Sequence, residues 1–586
     1  MADTTKKVGF FDKILGVDPN DKDSMQSKEV VSYSVAGLGQ NIICQLVTTF
    51  FMYFLTTACG INDDGIMYLA YMFLFARLFD AFNDPIMGSI VDKTKSRWGK
   101  MRPYLLFSPI PIAIFTVLLF TTLPDTVSQS AKLAYSTVIY LLWGIAYTSV
   151  DVPYWGLASS MTSDTNKRNT MLTVARLFCT VGSGLVSVVI PIITGNIDTD
   201  PTVLKTAYLI IAIISVAIAV PPFFIGFKNT KERFFEAGKE TISLKENIKL
   251  LFKNKPILLM IAIGVVGSLR TIYMTTALYY ASVNLNNQSL AAAMFMLVVP
   301  GGLLATLMTP YLSKKFGKRN VFLWSHVIGG LLLVGLYFMG YQAETGTFDG
   351  TTGFAQIMFY IIIIIAGIPS GFSNILTYSM IGDSIDYLED KTGKRAEGIC
   401  YAMQTLISKI GMALTAFVTL LVLGKAGYAT VTAGGQLVPS SPEVADIITT
   451  VKANIWMVTT LACGISMAAC AIPLLFYKFN EKEQAEAVAR VAARKAAAAA
   501  NGEVVDAVVE STVVVDEQNE AKPVLADFAE AVEREEAQAA QVQDTVEDTV
   551  KDEPVAPAED VFEKPAKKAP AKKAPAKKAA PKAKKD

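Results

Sequence analysis

The chain has 586 residues, 52% of them hydrophobic, and its 53 Lys+Arg nearly balance 52 Asp+Glu. Mean hydropathy is +0.39 although residues 481–586 are polar; the first 480 residues carry 36 basic and 29 acidic side chains. Apolar runs of membrane-crossing length, about 20 residues each, exclude a soluble multidomain protein.

Residues 1–29 form a polar N-terminal segment without a signal-peptide core, so the first span is expected to serve as the insertion signal. Within it, Lys6 to Gly16 (KKVGFFDKILG) reads either as a short interfacial amphipathic helix or as an unfolded terminus. Hydropathy then predicts twelve spans, at 30–58, 66–91, 103–123, 133–160, 171–195, 204–227, 256–283, 290–312, 320–341, 354–382, 398–424 and 453–478. The charged connector 228–255 divides them into an N-terminal half, 30–227, and a C-terminal half, 256–480. The 2–3 loop carries Lys93, Lys95, Arg97, Lys100 and Arg102, and the 8–9 and 10–11 loops are also basic, whereas the 1–2, 7–8 and 9–10 loops have no Lys or Arg. This asymmetry predicts cytoplasmic termini and a cytoplasmic connector in the cell membrane. KTKSRWGKMRP after span 2 is echoed by SKKFGKRNVF after span 8, as expected of two parallel halves. Beyond Asn480, residues 503–563 hold 19 acids and 3 bases, and residues 564–586 hold ten lysines in an AKKAP-type repeat. Such a composition cannot bury a core, so 481–586 is expected to be a disordered cytoplasmic tail, inert or touching anionic lipid.

Charges within the spans mark candidate sites, because each costs several kcal/mol at the bilayer centre. In span 2, Arg77, Asp80 and Asp84 sit at i, i+3 and i+7 on one helical face. Two carboxylates a turn apart call for a cation, a shared proton or a basic partner, and adjacent Asn83 adds an amide oxygen suited to a hard cation. In span 4, Thr148, Asp151 and Trp155 share a face near Pro153. A carboxylate beside an indole suits a polyhydroxylated ring, accepting hydroxyl protons while the indole packs on C–H faces. Arg176 in span 5 and Lys409 in span 11 are candidate counter-charges; Arg270 in span 7 has no evident partner. His326, near the start of span 9, reads as an interfacial residue rather than a proton carrier. The six cysteines lie in or beside apolar runs without a CxxC pair, and read as small buried hydrophobes. No nucleophile–base pair or metal-ligand cluster appears, so neither an enzyme nor a cofactor is expected, and nothing indicates nucleic acid as a partner.

RLFDAFNDPIMGSIVDKTKSRWGKMRPY, WGIAYTSVDVPYWGL and GDSIDYLEDKTGKRAEGICYAMQTLISK closely resemble signature segments of the glycoside–pentoside–hexuronide:cation symporters, the melibiose-permease branch of the major facilitator superfamily. The resemblance runs from about Val31 to Asn480. It implies a twelve-helix, all-α membrane protein of the major facilitator fold. It also implies a cation site at Asp80, Asn83, Asp84 and Thr148, for Na+ or H+, with Lys409 and Arg77 as counter-charges. By the same resemblance Asp151, Trp155 and Arg176 contact sugar, and Tyr147, Gln404 and Thr405 line the cavity. Asp383, Asp386, Arg395 and Glu397 match a charged cytoplasmic gate. One departure lies in span 1, where the branch's namesake has Lys-Asp and this chain has Gln40-Asn41; these amides are expected at the sugar, with a specificity other than galactoside. The implied function is symport of a glycoside or oligosaccharide with a monovalent cation by alternating access. The alternatives are a transporter of the same fold for a lysolipid, or a non-transporting sensor signalling through its tail.

Overall fold

The computed structural model describes residues 25–162, 164–197, 200–233, 244–394, 397–433, 436–438 and 441–500. The Lys6–Gly16 segment and the tail beyond 500 lie outside the described residues. Ten helices are long and apolar enough to cross a membrane. In the first half these are α1 (Ser27–Thr57), α2 (Asp63–Lys93), α5 (Gln129–Met161), α6 (Thr165–Gly195) and α7 (Pro201–Asn229). In the second they are α11 (Leu290–Phe316), α12 (Lys318–Met339), α13 (Gly353–Thr392), α14 (Glu397–Ala426) and α16 (Pro442–Phe476). Their outer faces are apolar: Ile210, Ile213, Ile214 and Ile218 of α7 are all exposed, an arrangement suited to lipid rather than water.

The third and seventh expected spans are interrupted. The third comprises α3 (Arg102–Phe107) and α4 (Pro109–Leu119), separated at Ser108. Pro109 and Pro111 remove the amides that would bond the carbonyls four residues back. The Ser108 hydroxyl instead donates to the Ser149 carbonyl on α5, 3.3 Å away. That carbonyl lacks its helical partner because the residue four positions on is Pro153; α5 nonetheless continues unbroken through Pro153. The seventh comprises α9 (Lys255–Val266) and α10 (Ile272–Tyr279), the latter continuing as a π turn over Tyr280–Asn284. Two more π turns, Leu46–Phe50 and Val458–Ala462, lie within α1 and α16. The connector contributes α8 (Leu244–Lys253). Short hairpins, β1 (Tyr341–Gln342) with β2 (Thr347–Phe348) and β3 (Thr432–Ala433) with β4 (Gln436–Leu437), sit in the loops opposite the basic ones.

Packing is close where side chains are small. A Cβ on Gly301 of α11 would press on the Ile364 carbonyl of α13, and one on Gly367 of α13 on the Val298 carbonyl, so the two backbones approach as small residues permit. Across the halves, α14 packs along α2. At the end opposite the basic loops the halves are also bonded together. Asp63, at the start of α2, accepts from the Ala429 amide (2.8 Å) and the Thr430 hydroxyl (2.6 Å) of α15 (Tyr428–Val431). Thr56 and Tyr279 share a hydrogen bond of 2.9 Å, and Asn196 reaches Ser289 at 3.5 Å. Lys409 also bonds the halves together, through Asp84 and the Asp80 carbonyl.

Two expectations are corrected. His326 is not interfacial: it is fully buried, with Nδ1 donating to the Phe322 carbonyl and Nε2 accepting from the Ser373 hydroxyl, each at 2.9 Å. Eight residues from Lys318 along α12 place it about 12 Å deeper than the basic loop. Nor does the chain become structureless at 481. Glu481–Ala500 is a helix, α17, docked on the end of α13. Arg490 grips both oxygens of Asp390 at 3.1 Å, and Arg494 donates to the terminal carbonyls of Asp390 and Glu389. Lys495 meets Glu389 at 3.0 Å, and Gln484 donates to Asp386 at 3.1 Å. The last carbonyls of a helix have no intrahelical partner and favour cations; the arginines supply both a partner and a charge. Alanine-rich composition alone makes Glu481–Ala500 resemble the tail that follows it.

Candidate functional site

The helical period of α2 places Arg77, Asp80 and Asp84 on one side, and the packing of α5 and α14 decides what they meet. Asp80 is buried, 3.4 Å from the Arg77 guanidinium. It lies over Gly144 of α5, where a Cβ would stand 2.9 Å from a carboxylate oxygen; glycine there leaves room for the carboxylate. Asp84 accepts from the Thr148 hydroxyl of α5 at 3.4 Å and is ion-paired to Lys409 of α14. The Lys409 ammonium also reaches the Asp80 carbonyl at 3.5 Å. The Asn83 side chain contributes a buried amide nitrogen with no hydrogen-bond partner. The Lys409 ammonium is therefore held by the Asp84 carboxylate and the Asp80 main-chain carbonyl, while the Thr148 hydroxyl takes the other Asp84 oxygen and the Asp80 carboxylate faces Arg77. Such oxygen donors fit a hard monovalent ion. Among the described residues, no group of three or more His, Cys, Asp or Glu is arranged to hold a metal ion.

One turn along α5 lies the second cluster. Asp151 accepts from the Trp155 indole at 3.1 Å and from the Gln40 amide. Gln40 also donates to the Tyr147 hydroxyl at 3.3 Å, and its amide oxygen is buried without a partner. Arg176 of α6 stacks on Trp155 at 5.1 Å and reaches the Tyr378 ring of α13 at 5.7 Å, so its charge lies against π faces. Of the span-1 amides only Gln40 joins this cluster. Asn41 donates to the Gly37 carbonyl at 3.0 Å and accepts from Ser183 of α6 at 3.3 Å; a 100° step along the helix turns it to the neighbouring interface. Gln404 lines a separate cavity beside Arg270, and Thr405 is exposed on the same helix.

At the basic end, Asp383 accepts from Lys318 through both oxygens at 2.8 Å, and Asp386 meets Gln484 of α17. Arg395 and the Glu397 side chain lie outside the described residues. The partners Lys318, Tyr378, Gln484 and Arg490 were not singled out in the sequence; each is at least 50 residues from the group it meets in at least one of its contacts, so no local spacing signals it. The same holds for Glu232 in the connector, which accepts the backbone amides of Lys100, Met101 and Arg102, each at 2.8 Å, and so fixes the basic loop after α2.

Comparison with known proteins identifies the architecture. A family model described as MFS/sugar transport protein matches residues 32–481. The isoprimeverose transporter of Lactiplantibacillus pentosus is 31% identical over 468 residues, covering 79% of this chain and 91% of that protein. An Escherichia coli (strain K12) protein with the provisional name glycoside/cation symporter YagG is 26% identical over 465 residues, covering 79% and 94%. Among solved structures, a bacterial homologue of the human lysosomal transporter Spinster, inward-facing and unoccupied, superposes with a TM-score of 0.53 at 11% identity, covering 79% of this chain and 98% of that one; this likeness concerns the fold. Intramembrane charges, two helical halves and a match over residues 32–481 lead to one conclusion: the chain belongs to the MFS/sugar transport family of multi-pass membrane transporters, in the glycoside–pentoside–hexuronide:cation symporter branch.

Proposed function

We propose that the protein carries a glycoside or oligosaccharide into the cell together with a monovalent cation, Na+ or H+, by alternating access. The observation that carries this reading is that one helix serves both clusters: α5 presents Thr148 to the Asp84 carboxylate and, one turn on, Asp151 to the indole of Trp155. A cation entering between Asp80 and Asp84 displaces the Lys409 ammonium and alters the field at Asp151. Sugar and cation then favour the same state, which is all that coupling requires. With the basic end in the cytoplasm of a cell-membrane protein, the bonds of Asp63 and Thr56 close the outer side, and Asp383 and Asp386 belong to the inner gate. Gln40, Tyr147, Asp151, Trp155 and Arg176 hold the sugar. The residues that favour a polar solute over a lysolipid are the same Asp151, Gln40 and Arg176, and the cation cluster has no purpose in a sensor.

Uptake of a glycoside panel into proteoliposomes, with and without an inward Na+ gradient at two pH values, tests the proposal. Accumulation of at least one glycoside that requires a Na+ or proton gradient is the expected result. Equal uptake with and without every gradient would refute symport, and no uptake of any glycoside would refute the substrate class.

A further inference from the structure

A groove of about 490 Å³ runs along α11, α12 and α13 on the side turned to the bilayer. Helical spacing builds it: Asn320, Trp324 and Ile328 recur every four residues on one face of α12, and Ile365, Ile368 and Phe372 repeat along α13. The side chains of Phe316, Trp324 and Ile328 are each more than half exposed. Asn320 stands in the first turn of α12, beside the basic 8–9 loop, and the helix rises about 12 Å from there to Ile328. The groove therefore starts at the membrane surface and ends within hydrocarbon, which is the path of an acyl chain.

Its mouth is cationic. Phe316 of α11 lines the groove, and the Lys315 ammonium lies 5.3 Å from the Phe316 ring. Lys314 and Lys315 are exposed, and among the described residues neither meets a carboxylate. The neighbouring cations are engaged, Lys318 with Asp383 and Arg319 with the Leu474 and Leu475 carbonyls. Among the described residues, the acids that contact this loop are Asp383 and Glu481. Against them stand Lys314, Lys315, Lys318 and Arg319, an excess of two positive charges. The corresponding loop of the first half has the charge without the groove. The cavity beside it is lined by polar and charged residues, Lys95, Arg97 and Lys100 among them, and by one apolar side chain, that of Trp98.

We propose that the groove is a binding site for an anionic phospholipid, with an acyl chain along α12 and α13 and the phosphate-bearing headgroup on Lys314 and Lys315. Basic pockets between membrane helices hold such headgroups, and here the apolar and cationic parts adjoin. The test places the full-length protein in phosphatidylcholine nanodiscs containing a rising fraction of lipid brominated on its acyl chains, either phosphatidylglycerol or phosphatidylcholine. Bromine quenches tryptophan on contact, and the quenching that Trp324→Phe removes reports the groove. A lysine beside an anionic headgroup contributes roughly fivefold. With salt screening the two lysines in part, half-maximal quenching should need about tenfold less phosphatidylglycerol than phosphatidylcholine, and no less than about threefold. Exchanging both lysines, Lys314→Gln with Lys315→Gln, should remove the preference. Lys95→Gln with Lys100→Gln, on the loop without the groove, should leave it within about twofold. Equal requirements for the two lipids in the wild type would overturn the inference and leave the groove to ordinary bilayer lipid; a preference that emerged only when the chain was ended after Gly502 would do the same and make the acidic tail the partner of the lysines. A preference that survives the Lys314/Lys315 exchange would also overturn it, as would one lost equally in the Lys95/Lys100 exchange, which would mark the general surface charge. Quenching unaltered by Trp324→Phe would show that no acyl chain enters the groove.

Discussion

Replacing Lys409 by methionine isolates the competition that the Asp80/Asp84 cluster implies. Methionine keeps the length and apolar stem of lysine and removes the charge and the donors. In the structure the ammonium is held by Asp84 and touches the Asp80 carbonyl, and the two side chains of the pair retain 16% and 23% of their exposure. Truncating one partner of a buried charge pair costs about 2–5 kcal/mol, mostly because the other charge is left uncompensated. With both side chains partly open to water, the lower end, about 2 kcal/mol, applies here. A cation that fills the site recovers this energy and no longer has to displace lysine. The cation activity giving half-maximal enhancement of glycoside binding should therefore fall about 30-fold, and by no less than about tenfold. Equilibrium glycoside binding to the purified variant, titrated with Na+ at fixed pH and with pH at fixed salt, reads this directly and does not depend on turnover. A half-maximal activity that is unchanged or higher, with glycoside binding retained, would show that Lys409 does not stand in for the coupling ion.

Asp80→Cys and Asp84→Cys should each abolish gradient-driven accumulation while leaving measurable sugar binding, because both carboxylates belong to the proposed ion site and neither to the proposed sugar site; wild-type accumulation in both would move the cation site elsewhere. Asp151→Asn and Trp155→Ala should each weaken glycoside binding by at least about 1 kcal/mol, since a hydrogen bond to a charged group contributes about 1.5–3 kcal/mol; calorimetry showing unchanged affinity in both would displace the sugar site. Ending the chain after Gly502 should leave transport kinetics intact, because this keeps all of α17, whose last docking contact among the described residues is that of Lys495. Ending it after Asn480 removes Arg490 from Asp390 and Lys495 from Glu389, two carboxylates whose side chains are each 8% exposed, and should cost about 2 kcal/mol or more of stability in a thermal or denaturant assay. Equal behaviour of the two truncations would show that α17 contributes nothing to the fold.

Local sequence determined the parts of this protein that follow from composition and helical period. Long apolar runs cannot remain in water, so membrane spans follow from hydropathy, and the 3.6-residue period places Arg77, Asp80 and Asp84, or Thr148, Asp151 and Trp155, on common faces before any neighbour is known. The motifs around those residues also carry the family. Tertiary structure alone decided the partners. Lys409 meets Asp84 across 325 residues, an approach set by the packing of α14 on α2 and invisible to any i, i+4 rule. The adjacent amides Gln40 and Asn41 are chemically alike, yet a single helical step sends one to Asp151 and the other to Ser183. His326 looked interfacial because basic residues precede it, and the rise of α12 carries it to full burial beside Ser373. The docking of Glu481–Ala500 depends on the carboxylates and open carbonyls at the end of α13 about 100 residues earlier. A window over an alanine-rich tail contains none of that information, because the stabilising groups belong to another helix.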